Sequence, residues 1–140
     1  MATSTSYRLD PSLKARLAAQ ATTEGVPETA LVTRLLEQGL STIRHPGVVF
    51  RPGPSGWRAA LAGGPDVDEV VRALRSGGAT GDDAVAATAA DLGIDARLVR
   101  IAVDYAAEHL EEIEARLRDN DEAAERVRRL TEARAVVLAE

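Results

Sequence analysis

"STSYRLDPSL", residues 4–13, decides how the chain begins. Small or charged side chains alternate there with Tyr7 and Leu9, the period-two pattern of a half-buried strand from about Thr3 to Leu9. Tyr7 and Leu9, with Thr5 as a weaker third, then face one side, and Ser4, Ser6 and Arg8 face the other. Asp-Pro follows at once. Asp10 suits a helix N-cap and Pro11 the first helical position. A single strand leaves its backbone N–H and C=O groups unpaired, so this one requires a partner.

Working outward, Leu13, Leu17 and Ala21 recur at i, i+4 and i+8, one stripe of a helix, and Gly25 stops it as a C′ residue. A second helix is expected from about Pro27 to Leu40, with Leu31, Val32, Leu35, Leu36 and Leu40 forming a wide apolar face. Strand, helix and helix with one strand per chain close when two chains pair their strands antiparallel. Such a ribbon has the width to enter a DNA major groove, and Ser4, Ser6 and Arg8 then point at base edges. The alternative is a partner within the chain, the "VVF" of residues 48–50, which leaves Arg8 a solvated surface residue.

The stretch "YRLDPSLKARLAAQATTEGVPETALVTRLLEQGL", residues 7–40, resembles the ribbon-helix-helix family of bacterial DNA-binding domains. The resemblance covers roughly the first third of the chain. It implies a homodimer that binds operator DNA and reads bases from alternate strand positions, here Ser4, Ser6 and Arg8. It also implies a phosphate held at the second helix N-terminus, on Pro27, Glu28 and Thr29, where free N–H groups and the helix dipole favour an anion. Family strands often carry more Lys and Arg than this one. Arg8 is the one strong base reader and Glu28 opposes a phosphate, so modest affinity per dimer is expected.

The remaining chain reads as a small helical domain at 45–109 and a charged helical tail at 110–140. In the domain, "VVF" and "WRAAL" are short strands around the turn "RPGPSG". "DVDE" at 66–69 has the form of a capping box with Asp in the capping role, and Gly77 and Gly78 end the helix it opens. Thr80 is placed to cap the next helix, with Asp82 and Asp83 at its start. Gly93 ends that helix and Asp95 caps another to about Glu108. The link "LGID" makes the pair a helix-turn-helix, with Arg97, Arg100 and Asp104 outward and Leu98, Ile101 and Tyr105 inward. The tail is expected to break at "DND", residues 119–121. Ile113 and Leu117 mark one apolar side, and Val127, Leu130 and Val137 a second. With so few large apolar residues, the tail must pack on this chain, pack on another, or stay partly disordered. The fold class is therefore mainly α, with a dimeric N-terminal module at 1–44.

Residues 45–109 resemble an uncharacterised-domain family of bacterial antitoxins, most specifically in "HPGVVF", "WRAALAGG" and the helix ending in Tyr105. Asp68 stands where close relatives are expected to carry an aromatic residue. Members are commonly encoded beside a PIN-like nuclease toxin, which the family implies as a partner. The tail then has two readings of equal weight: a solvated charged helix, or a toxin clamp formed by Ile113, Leu117, Val127, Arg128, Arg129, Leu130, Arg134 and Val137. An inserted Arg would neutralise the acidic metal site of such a nuclease. The implied function is an antitoxin that represses transcription. The alternatives are a stand-alone regulator of the same fold and a protein-interaction adaptor that never meets DNA.

Composition narrows the chemistry. The chain has 140 residues, no cysteine and a net charge of −5. Residues 1–44 carry +1, residues 45–109 carry −3 and residues 110–140 carry −3. The acidic middle segment opposes phosphate contact and favours a structural or protein-contact role for its helix-turn-helix. No cysteine means no disulfide framework and no thiolate metal site. Neither a membrane-length apolar run nor a signal-peptide core is visible, so the cytoplasm is the default location and no membrane partner is expected. His45 and His109 are far apart in sequence and lack a nucleophile or metal-ligand pattern, and no Gly-rich stretch is followed by a P-loop lysine. No enzyme activity, metal or cofactor is expected. Trp57 is expected to be a core anchor in a chain this poor in aromatics.

Overall fold

The computed structural model describes residues 2–139. The chain divides into two compact units, residues 1–43 and 44–140. It is mainly helical, with α1 at Pro11–Glu24, α2 at Glu28–Arg44, β1 at Val48–Arg51, β2 at Arg58–Leu61, α3 at Val67–Ser76, α4 at Gly81–Leu92, α5 at Ala96–Glu108 and α6 at Leu110–Leu138.

The first unit is a helical hairpin. Asp10 caps α1 by accepting from the Ser12 N–H at 2.8 Å, with Pro11 inside the first turn. Gly25 closes α1 in the left-handed region at φ 66°, and its N–H reaches the Ala21 and Thr22 carbonyls. Glu24 and Arg34 pair across the turn at 3.0 Å, and Lys14 pairs with Glu28. The second helix runs one turn beyond the expected Leu40, because nothing breaks it before Pro46 and Gly47. Residues 3–9, expected to be a strand, form no ladder among the described residues. The sheet contains only β1 and β2 among the described residues, so the intrachain pairing of Thr3–Leu9 with "VVF" does not occur.

In the second unit, β1 and β2 form the hairpin read from the sequence, antiparallel, with Val48 opposite Leu61 and Phe50 opposite Ala59. Arg51 reaches across to the Leu61 and Gly64 carbonyls at 2.9 and 2.8 Å, fixing the turn into α3. Gly47 sits at φ 100°, and a Cβ there would come within 3.1 Å of the Ile101 side chain, so strand entry and α5 approach closely. The Asp66 N–H donates to the Glu69 carboxylate at 3.1 Å, as a capping box requires. Asp95 caps α5 through the Arg97 N–H at 2.7 Å. Thr80 occupies the N-cap position of α4 but makes no side-chain capping bond.

The core joins Val48 and Leu61 of the hairpin, Val67, Val70 and Val71 of α3, Ala89 of α4, and Val99, Ala102 and Tyr105 of α5. It also takes Ile113 and Leu117 of α6. Tyr105 is its largest fully enclosed side chain. Leu98 and Ile101 are only partly buried and flank this core. Trp57 is half-buried outside it, with its carbonyl accepting from Arg116 at 2.8 Å.

The expected break at residues 119–121 is absent: α6 runs unbroken for 29 residues. Asp and Asn disfavour helix interiors chiefly when they bond to nearby backbone. Here Asn120 donates instead to Asp68 on α3 at 2.9 Å, and Asp121 pairs with Arg72 at 2.8 Å. Arg75 of α3 also pairs with Glu114 of α6. These contacts fasten the first half of α6 along α3. No helix among the described residues is long and apolar enough to cross a membrane.

Candidate functional site

The N-terminal unit buries very little. Only Ala21 and Leu31 are fully enclosed, whereas Leu13 is 41% exposed and Leu35 45%. Leu9, Leu36, Leu40 and Ile43 are exposed as well, as is Tyr7. The groove between α1 and α2 is lined by Leu13, Leu17, Leu31 and Leu35. Tyr7 and Leu9, expected to face inward, are instead 78% and 44% exposed. Ser4, Ser6 and Arg8 are exposed on the irregular segment ahead of α1. At the start of α2, Pro27 and Thr29 are exposed and Glu28 is held by Lys14. That pairing offsets the carboxylate charge at the expected phosphate position.

The residues assigned to a tail clamp fall into two groups. Ile113 and Leu117 are 3% and 8% exposed in the core of the second unit. They cannot meet another protein without opening that core, which removes them from any contact surface. Sequence periodicity marked them correctly as apolar but could not tell an inward face from a partner face. Val127, Leu130 and Val137 are exposed, together with Val136 and Leu138. Arg128 pairs with Glu125 at 2.7 Å and with Glu132 at 2.5 Å, and Arg129 pairs with Glu125 at 2.9 Å. These hydrogen bonds hold the Glu125 carboxyl below its usual range. Arg134 has no ion-pair partner among the described residues.

On α4 and α5, the pair expected to form a helix-turn-helix, Arg97, Arg100 and Asp104 are exposed, as expected. Arg100 is bound to Asp82 of α4 at 3.1 Å.

The two histidines, far apart in sequence, meet in the fold, with ring centroids 5.9 Å apart. His45, which follows α2 directly and is buried, places Nε2 3.0 Å from the Glu108 carboxylate. His109, in the turn between α5 and α6, stacks on Tyr105 at 4.2 Å between ring centroids. Tyr105 also meets His45 edge-on at 5.3 Å. One ligand atom from each of His45, Glu108 and His109 lies within 4.8 Å of the others. Arg44 donates to both Glu108 oxygens, at 2.8 and 3.3 Å, and this holds the Glu108 carboxyl low. The Tyr105 hydroxyl donates to Glu112 at 2.9 Å. Burial first, then this neighbouring carboxylate, push its pKa far up. Only the adjacency of Glu108 and His109 was visible in the sequence. The third member sits on the far side of the hairpin, α3 and α4.

Asp68 is the other unusual group. It is 4% exposed and bonded to Asn120, and its carboxyl is raised, chiefly by burial and then by the charge of Asp66. The Asn120 side chain of α6 donates to it, so this position makes a polar contact between α3 and α6. Asp66 itself is paired with Arg51 at 3.4 Å and with Arg58.

Comparison of the chain with protein-family models, with curated proteins and with solved structures returns no match.

Proposed function

We propose that the chain is an antitoxin-type repressor. Its N-terminal unit dimerises as a ribbon-helix-helix and binds operator DNA, and the far half of α6 binds a PIN-like nuclease toxin. The observation that carries the reading is the unfinished N-terminal unit. Two helices expose most of one apolar face, and a strand-length alternating segment precedes them with no ladder among the described residues. A second copy supplies both missing parts at once: a strand for residues 3–9 and a cover for Leu13, Leu35 and Leu36. Arg8 then lies on the outer face of the ribbon.

For the toxin, the contact surface reduces to Val127, Arg128, Arg129, Leu130, Arg134 and Val137. Exposed apolar positions along this half of α6 favour a protein partner here, and the same observation supports the adaptor alternative for the tail alone. The chain has no enzymatic role in this proposal.

The test is gel-shift titration of the full chain on the DNA directly upstream of its own coding sequence, against shuffled DNA of equal length. Sequence-selective binding that weakens with salt is expected, with a shallow slope because few cations are present. Arg8→Ala should cost about 1–3 kcal/mol on the specific site and relax preference at one base pair per half-site. Equal binding of both DNAs, or an Arg8→Ala protein that keeps affinity and preference, refutes base reading through the ribbon.

A further inference from the structure

We propose that His45, Glu108 and His109 form a binding site for one divalent transition-metal ion of the zinc class. The inference is independent of the DNA and toxin readings. Three donors from two segments more than sixty residues apart in sequence converge, each offering a ligand atom within 4.8 Å of the others. Tetrahedral zinc holds imidazole nitrogen and carboxylate oxygen at about 2.0–2.2 Å, which places ligand atoms roughly 3.3 Å apart. His45 and Glu108 already stand at 3.0 Å, so closure asks mainly for rotation of the His109 ring and the Glu108 carboxylate.

The surroundings favour a defined site over a chance meeting of surface groups. His45 is 7% exposed and cannot swing away. Tyr105 contacts both imidazoles, stacked on one and edge-on to the other, and so fixes their planes. Glu112 stands 3.7 Å from His109 Nδ1, a carboxylate able to orient that ring as outer-shell partners of metal-bound histidine do. Two imidazoles and one carboxylate suit zinc, nickel or cobalt. Calcium and magnesium prefer all-oxygen shells. Three protein donors leave a fourth position to water or to a further ligand.

Arg44 is the opposing group. Its guanidinium occupies the Glu108 oxygens that a metal would take. The pair is exposed, and such pairs hold weakly. Metal binding therefore displaces Arg44 into solvent and ties the segment entering the second unit to the α5–α6 turn.

The test is calorimetric titration of the tag-free full chain with zinc alone, supported by visible absorption of the cobalt-loaded protein. One ion per chain with micromolar or tighter affinity and a tetrahedral cobalt spectrum is expected. Glu108→Gln, at an exposed position that leaves packing intact, should weaken binding at least tenfold, as should His109→Gln. Arg44→Ala should tighten binding several-fold, which a merely structural role for the cluster does not explain. Absence of saturable binding, or binding unchanged in both Glu108→Gln and His109→Gln, overturns the site. His45→Gln is judged by circular dichroism first, and Glu108→Gln and His109→Gln decide if it misfolds.

Discussion

Leu35→Ala tests the central proposal most directly. Leu35 is 45% exposed in the single chain and lines the groove between α1 and α2. Full burial of a leucine side chain contributes about 1.5–3 kcal/mol, so covering the remaining half contributes roughly 1 kcal/mol. A two-fold interface uses the same residue twice. The variant should therefore weaken the dimer by about 2 kcal/mol, a rise of about thirty-fold in its dissociation constant. The measurement is sedimentation equilibrium of the full chain across nanomolar to micromolar concentrations. Because α1 and α2 bury only Ala21 and Leu31 between them, helix content in the first unit should fall together with the dimer as the protein is diluted. A wild-type protein that stays a folded monomer at micromolar concentration, or a Leu35→Ala protein with an unchanged dissociation constant, refutes the reasoning.

Two further outcomes concern the second unit. Asp68 binds its proton more tightly when folded than when unfolded. Its stability contribution is therefore fully present below the ordinary aspartate value of about 3.9 and is lost as pH rises through the raised folded value. Asp68→Asn keeps a partner for Asn120 and should flatten that loss, so urea midpoints of the variant should gain on wild type between pH 4 and 7, as read by denaturation; a variant that loses ground as pH rises counts against the assignment. Hydrogen exchange should divide α6 near Asn120, with slow amides around Ile113 and Leu117 and fast ones beyond about Glu122. Uniform protection to Leu138 in the free protein would show that the far half is already covered.

The local grammar of the chain was legible. Asp10, Gly25, Glu69, Gly93 and Asp95 all act where their side chains or φ values place them, because caps depend on neighbours within four residues. The hairpin followed from "VVF" and "WRAAL" for the same reason. What was not legible depends on contacts across long separations. Asn120 keeps α6 continuous only because Asp68 lies opposite, fifty-two positions away. Ile113 and Leu117 look like Val127 and Leu130 in sequence, yet one pair is enclosed and the other exposed. His45 and His109 meet because the hairpin, α3, α4 and α5 return the chain to its starting point, which no spacing rule encodes. Residues 3–9 show the opposite case: their alternation is plain, but they form no ladder among the described residues.

The far half of α6 has a consequence for the medium in which the protein works. Beyond Asp121 the helix is supported by its own Glu125, Arg128, Arg129 and Glu132 pairs and no longer by ion pairs to α3. Such pairs are exposed, and salt weakens exposed pairs progressively as the screening length falls from about 8 Å at physiological ionic strength to about 3 Å at 1 M. Added electrolyte therefore loosens this arm turn by turn while the apolar core holding Ile113 and Leu117 stays closed. A rise in ionic strength would soften the arm and, under the proposed DNA-binding role, weaken the phosphate contacts of the first unit as well, making both surfaces sensitive to the same physical variable.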